Sequence, residues 1–118
     1  MHQLLNIFDL KPGIHRAKLD RAWEAFITHL VCTDLAVSSS PVMARTRPSG
    51  FDTDEERGHA FMAVISFRDR AQADAAWAAI EARAEPLGRL HRSLFAMVHD
   101  PVFTFWSIGE GAEIRPEP

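Results

Sequence analysis

The spacing of apolar residues along the 118-residue chain predicts four β-strands. Three strongly apolar runs have the length of a strand: residues 4–10, 61–67 and 102–108. A fourth segment, residues 38–47, has a weaker strand pattern and contains Pro41, which cannot donate to a central ladder, so we expect it at a sheet edge. Arg45 and Arg47 share one face of this segment, where they would either clamp a carboxylate or protect the edge.

Two helical regions lie between these strands. The first covers about residues 15–32, and its apolar residues recur every three or four positions: Leu19, Trp23, Phe26 and Leu30. The second begins after Asp69, which stands three residues before Gln72 in a capping-box pattern. Its predicted buried stripe contains Ala73, Ala76, Trp77, Ile80 and Ala84. Residues 85–88 interrupt this helix, and we expect a further helical piece to continue to His99.

The order strand, helix, strand, strand, helix, strand is typical of a ferredoxin-like α+β sandwich. In this βαββαβ arrangement both helices lie on one face of a four-stranded antiparallel sheet. A chain of this length predicts a single domain, which we place at residues 1–110, with residues 111–118 as a flexible C-terminal tail.

The last predicted strand carries bulky apolar side chains on both faces. A period of two directs Val102 and Trp106 to one face, and Phe103 and Phe105 to the other. Because a 118-residue chain with about two helices can cover only one face of a sheet, the other face predicts a partner subunit and a homodimer formed through the sheet. On this interpretation we expect a charge at Phe103 or Phe105 to dissociate or unfold the protein.

Four short motifs carry a family resemblance: residues 6–13, the pair His29-Leu30, Arg68-Asp69 ahead of an Ala-Gln-Ala-Asp segment, and Leu90-His91 ahead of the last strand. Together they resemble the dimeric α/β barrel superfamily, and within it a small family of uncharacterised bacterial proteins. The resemblance spans nearly the whole chain and implies a dimeric, ferredoxin-like protein. The superfamily includes monooxygenases, haem-degrading enzymes, stress-induced proteins and members without known chemistry, so the resemblance leaves the activity open.

Composition argues against several classes of partner. A net charge of −3 and scattered basic residues disfavour a nucleic-acid groove or an anionic membrane surface. No apolar run approaches the ~20 residues that span a bilayer, and the first residues lack a signal-peptide pattern, so we expect a cytoplasmic protein. Cys32 is the only cysteine, and we expect it to be a small buried residue. The sequence predicts no metal site and no cofactor.

Asn6 and His91 are the strongest polar candidates for a site. Asn6 is the polar member of an otherwise apolar strand face, so its amide must find partners in the sheet or in a ligand. His91 lies within a helical stripe formed by Leu87, Leu94 and Val98, where a partly buried imidazole can act as acid, base or ligand. The alternative is a core or rim histidine that binds a backbone carbonyl. Four other histidines are expected to be solvated: His2, His15, His59 and His99.

The superfamily resemblance also implies a specific trio of residues. In its haem-degrading members the site is formed by an asparagine on the first strand and by a tryptophan and a histidine in the second helical region. Asn6, Trp77 and His91 are the counterparts here, but the break at residues 85–88 separates Trp77 from His91 and departs from that pattern.

Two classes of function remain open from the sequence. The first is a protein that binds or transforms a small, largely apolar molecule in a cavity between helices and sheet. The predicted ligand-binding residues of that cavity are His91, Asn6, Trp77 and Trp106, with Phe8 and Leu94 as further apolar lining. The second is a non-catalytic dimeric module, structural or stress-related, in which the same residues are only core. A monooxygenase or haem-degrading enzyme is a third, less favoured interpretation.

Overall fold

The computed structural model describes residues 1–109, so the predicted tail at residues 111–118 lies outside the described residues. The elements in chain order are β1 (His2–Leu10), α1 (Arg16–Cys32), β2 (Ser38–Ser39), β3 (Met43–Ala44), β4 (Phe61–Phe67), α2 (Arg70–Glu81), α3 (Leu87–Phe95) and β5 (Val98–Ser107).

The strands form one antiparallel sheet in the order β2-β4-β1-β5, with β3 also paired to β4. At its centre, Leu5 of β1 lies opposite Val64 of β4 and opposite Thr104 of β5. The short strands β2 and β3 together occupy the edge position that the sequence assigned to a single strand over residues 38–47. The order and the helices on one face confirm the predicted ferredoxin-like α+β fold.

The core lies between the helices and one face of this sheet. The helical stripe predicted for α1 is confirmed, because Leu19, Trp23, Phe26 and Leu30 are all buried. They pack with the inward-facing side chains of the strands and of α3, which include Phe8, Ala63, Ile65, Leu87 and Leu94. The α2 stripe is only partly confirmed, since Ala76 is buried but Trp77 is 58% exposed.

The predicted helix reaching His99 is wrong, because α3 ends at Phe95 and β5 already begins at Val98. After an irregularity in register, Leu10 pairs with Val98 and Asp9 pairs with His99. Asp100 takes a φ of 52°, which lets the chain turn locally before Pro101 without leaving the strand. Long-range pairing with β1 therefore decides this boundary.

The start of α2 is fixed by hydrogen bonds that reach back to the end of α1. The Asp69 carboxylate accepts from the Gln72 amide at 2.8 Å, as the capping-box pattern predicted. The buried Gln72 side chain accepts from the Arg68 amide at 2.7 Å and donates to the Asp34 carbonyl at 3.0 Å. Gln72 thus connects the two helices as well as capping one of them.

The loop after β3 is organised around a single guanidinium. Arg45 donates through Nε and Nη2 to the carboxylate of Asp52, and its remaining donors reach the backbone carbonyls of Asp54, Arg57 and His59. The hydrogen bond from Arg45 lowers the pKa of Asp52 to about 2. Arg45 therefore clamps a carboxylate of its own chain, which leaves little capacity for an external one.

Two expectations about individual residues are wrong. Cys32 is exposed at the end of α1 and is not a buried apolar residue. His59 is 7% exposed, and its Nε2 lies 3.0 Å from the Asp100 carbonyl and 3.1 Å from the Asp100 carboxylate. Each position lies at an element end, where local pattern gives little information on burial.

Candidate functional site

A groove of about 450 Å³ opens between the helices and the sheet. The sheet contributes Leu4, Asn6 and Ile65 to its lining, and the helices contribute Phe26, Trp77 and His91. Its surface is mainly apolar, with a few polar groups among aromatic rings, and its volume is in the range of small-molecule sites.

Asn6 presents a hydrogen-bond acceptor to this groove. Its Nδ2 donates to the carbonyls of Leu4 at 3.1 Å and of Ala63 at 3.3 Å, which fixes the orientation of the amide. Its Oδ1 makes no hydrogen bond to any part of the chain that the structure describes, although Asn6 itself is only 2% exposed. The unpaired oxygen is therefore available to the groove, where a hydrogen-bond donor of a ligand would pair with it.

His91 projects from α3 into the same groove, between aromatic rings. Its ring centroid lies 4.7 Å from that of Phe95 and 5.9 Å from that of Phe26. Partial burial, and secondarily the charge of Arg92, lower the pKa of His91, so the imidazole is neutral at physiological pH. Within residues 1–109 it has no hydrogen-bond partner, which leaves one donor and one acceptor nitrogen for a ligand.

The mouth of the groove is formed by α2 and β5. Trp77 and Phe105 lie here, and Trp77 is too exposed to be a core residue. Arg70 lies 6.0 Å above the Phe105 ring and pairs with Asp74 at 3.0 Å. This ion pair contributes no net charge to the entrance of the groove.

The structure brings together three of the four predicted ligand-binding residues: Asn6, Trp77 and His91. Trp106 is not among them, because it lies on the other face of the sheet, where its Nε1 donates to Thr104 Oγ1 at 2.8 Å. The alternation along β5 explains the difference, since Phe103 and Phe105 face the groove and Trp106 must then face away. Phe8 and Leu94 are sealed in the core and do not line the groove.

The helix-free face of the sheet is the second notable surface. It presents apolar side chains at alternate positions, namely Leu5, Ile7, Met62, Val64, Val102 and Trp106. Apart from the 57% exposed Trp106, these residues are only half-buried, and none of the six belongs to the core cluster. The sequence-based expectation for charges at Phe103 and Phe105 therefore concerned the wrong face, because both residues line the groove.

Over the described residues, no group of three or more His, Cys, Asp or Glu side chains is arranged to hold a metal ion. None of the helices between residues 1 and 109 is long and apolar enough to cross a membrane.

A family model described as a family of unknown function (DUF6614) matches residues 1–107. The chain belongs to this family. No curated protein matches the sequence. The family match covers every element of the fold and every residue of the groove, but it carries no activity with it.

Solved structures of similar fold come from distant sequences. The Arabidopsis thaliana protein At3g17210 gives a TM-score of 0.69 at 7% identity, over 92% of this chain and 96% of that chain. SnoaB, a cofactor-independent oxygenase from Streptomyces nogalater, gives 0.66 at 12% identity, over 98% and 97%. A dimeric protein of unknown function from Bacteroides fragilis gives 0.57 at 7% identity, over 91% and 95%. At these identities the likeness shows the ferredoxin-like fold alone.

Proposed function

We propose that this protein binds a small, largely apolar molecule in the groove between its helices and its sheet. The observation that carries the proposal is the unpaired Oδ1 of the buried Asn6, which opens into an aromatic groove of about 450 Å³. This oxygen is free to accept, and a ligand donor in the groove would pair with it. The neutral His91 supplies a second polar contact in the same groove.

The binding proposal is tested by filling the groove from within. Ala73 lines the groove and Ala75 is an exposed residue of the same helix, so Ala73→Trp and Ala75→Trp form a matched pair. Native mass spectrometry of protein purified from its own host should show a co-purified molecule on the wild type and on Ala75→Trp. Ala73→Trp should carry none. A wild-type protein that carries no molecule, or equal occupancy in the two variants, would contradict the proposal.

We further propose that the helix-free face pairs two copies of the chain into a homodimer. Four strands about 4.8 Å apart, with about seven paired residues, give a face of roughly 400 Å² in projection. An apolar patch of that size is at the limit that soluble monomers tolerate. Three proteins of similar fold are described as dimeric, which supports the same arrangement here.

Adjacent residues of β5 give the test of the dimer. Val102 faces the helix-free side and Phe103 faces the groove, so Val102→Asp and Phe103→Asp place the same charge on opposite faces. Light scattering coupled to gel filtration should report a monomer for Val102→Asp and a dimer for the wild type and Phe103→Asp. A monomeric wild type at micromolar concentration would contradict the proposal.

The alternative is a dimeric module without a ligand, structural or stress-related. It becomes the better interpretation if the groove proves empty while the light-scattering result shows a dimer. Oxygenase chemistry has in its support only the fold-level likeness to SnoaB at 12% identity, and haem chemistry has only the superfamily resemblance. Trp77 and His91 lie in the same groove as Asn6, but their shared location alone does not argue for haem.

A further inference from the structure

Flat aromatic rings form much of the wall of the groove. Six aromatic side chains line it: Phe26, Phe67, Trp77, Phe95, Phe103 and Phe105. Several already pack on one another, with centroids 5.9 Å apart for Phe95 and Phe103 and 6.4 Å apart for Phe67 and Phe105. Offset and edge-to-face contacts of this kind favour a planar aromatic guest over a branched aliphatic one.

The unpaired Oδ1 of Asn6 determines which polar group a ligand of this groove should carry. Both Nδ2 hydrogens point toward backbone carbonyls, of Leu4 and Ala63, so the amide has only its oxygen to offer. An ether or a carbonyl would bring a second acceptor against Oδ1, whereas a hydroxyl donates to it. A hydroxyl oxygen can in addition accept from the imidazole N–H of His91.

The charges around the groove argue against an ionised guest. Arg70 and Asp74 are the charged residues of its lining, and they pair with each other at 3.0 Å. A carboxylate inside the groove would lose its hydration without meeting a free cation, and an ammonium would meet no free anion. The groove therefore favours an uncharged molecule.

We infer that the ligand of this groove is an uncharged aromatic molecule with a hydroxyl group, a phenol in the broad sense, whose O–H donates to Asn6 Oδ1. The inference rests on the proposed binding function and adds the chemical class of the ligand.

Three probes with the same ring system separate the contributions. They are 1-naphthol, which carries the donor, 1-methoxynaphthalene, which lacks it, and 1-naphthoate, which is an anion. Calorimetric titration of the wild type should give about tenfold tighter binding of 1-naphthol than of 1-methoxynaphthalene, as expected for the net contribution of one hydrogen bond. Binding of 1-naphthoate should be the weakest.

Asn6→Leu removes the acceptor at similar volume, and the preference for 1-naphthol over 1-methoxynaphthalene should then fall to within about threefold. Thr104→Val, on the opposite face of the same sheet, is the matched control and should keep the full preference. If Asn6→Leu does not fold, nuclear magnetic resonance of the wild type decides. In that case the Asn6 side-chain carbonyl carbon should move further downfield at saturation with 1-naphthol than with 1-methoxynaphthalene, because accepting a hydrogen bond deshields it.

The outcomes distinguish this inference from the function on which it rests. If no molecule co-purifies with the protein, the binding function itself is wrong, whatever the probes do. If a co-purified molecule is present but the three probes bind equally or not at all, the binding function stands and the phenol inference is overturned. A preference for 1-naphthol that survives in a folded Asn6→Leu would overturn the role given to Oδ1.

Discussion

Replacing Gln72 by methionine removes the connection between α1 and α2 at nearly constant side-chain volume. The wild-type side chain is 4% exposed, accepts from Arg68 at 2.7 Å and donates to the Asp34 carbonyl at 3.0 Å. A longer contact of 3.3 Å reaches the Asp34 carboxylate. Each intramolecular hydrogen bond is worth about 1 kcal/mol net, and the partners left behind lose solvation as well. We therefore expect Gln72→Met to lower the free energy of unfolding by about 2–3 kcal/mol.

Urea unfolding followed by circular dichroism measures this loss, at one protein concentration for all variants because dimerisation would couple stability to concentration. Ala71→Met, an exposed residue of the same helical turn, is the matched control and should stay within about 0.5 kcal/mol of the wild type. A loss below about 0.5 kcal/mol for Gln72→Met would refute the reasoning, because it would mean that water replaces these bonds without cost.

Three further substitutions test other parts of the fold. Asp69→Ala removes the cap of α2 and should cost about 1 kcal/mol in the same urea assay, while an unchanged midpoint would place the helix start elsewhere. Gly88→Ala should cost about 1–3 kcal/mol, since a Cβ would approach the Arg83 carbonyl carbon and oxygen to 3.2 Å; no loss would show that this backbone can move. The lowered pKa of His91 means that the unfolded chain binds its proton first, so stability falls as the pH drops below 6.5. His91→Gln should lose less stability than the wild type between pH 7 and pH 5, and an equal loss would contradict the assignment.

The fold was predictable because its main signals are local. The helical period of α1 and the apolar run of the strand Phe61–Phe67 can each be recognised within a few residues, and burial follows from these patterns. The cap at Asp69 is equally local. The predictions that were wrong depend on contacts between residues far apart in sequence. Val98 belongs to a strand because it pairs with Leu10. His59 is buried next to Asp100, 41 residues away, whose carboxylate contacts its ring.

The candidate site was predictable in part for the same reason. Asn6 is conspicuous as an amide on an apolar strand face, and the helical period directs His91 toward the sheet. Trp106 was misplaced although the alternation along β5 separated it from Phe103 and Phe105, because nothing local says which face the helices cover. The aromatic rings of the groove come from α1, α2, α3, β4 and β5, so no single stretch of sequence reveals its aromatic character.

The clamp around Arg45 has a consequence for how the edge of the sheet opens. Asp52, the carbonyls of Asp54 and Arg57 and the entry to β4 at His59 all hold the same guanidinium. Arg45 is therefore a hydrogen-bond partner shared by groups spread over residues 52–59. We therefore expect the segment to open as one cooperative unit, with amide hydrogens that exchange with solvent together and not residue by residue. The order of the long connection before β4 thus depends on one side chain, Arg45, and on its ion pair with Asp52.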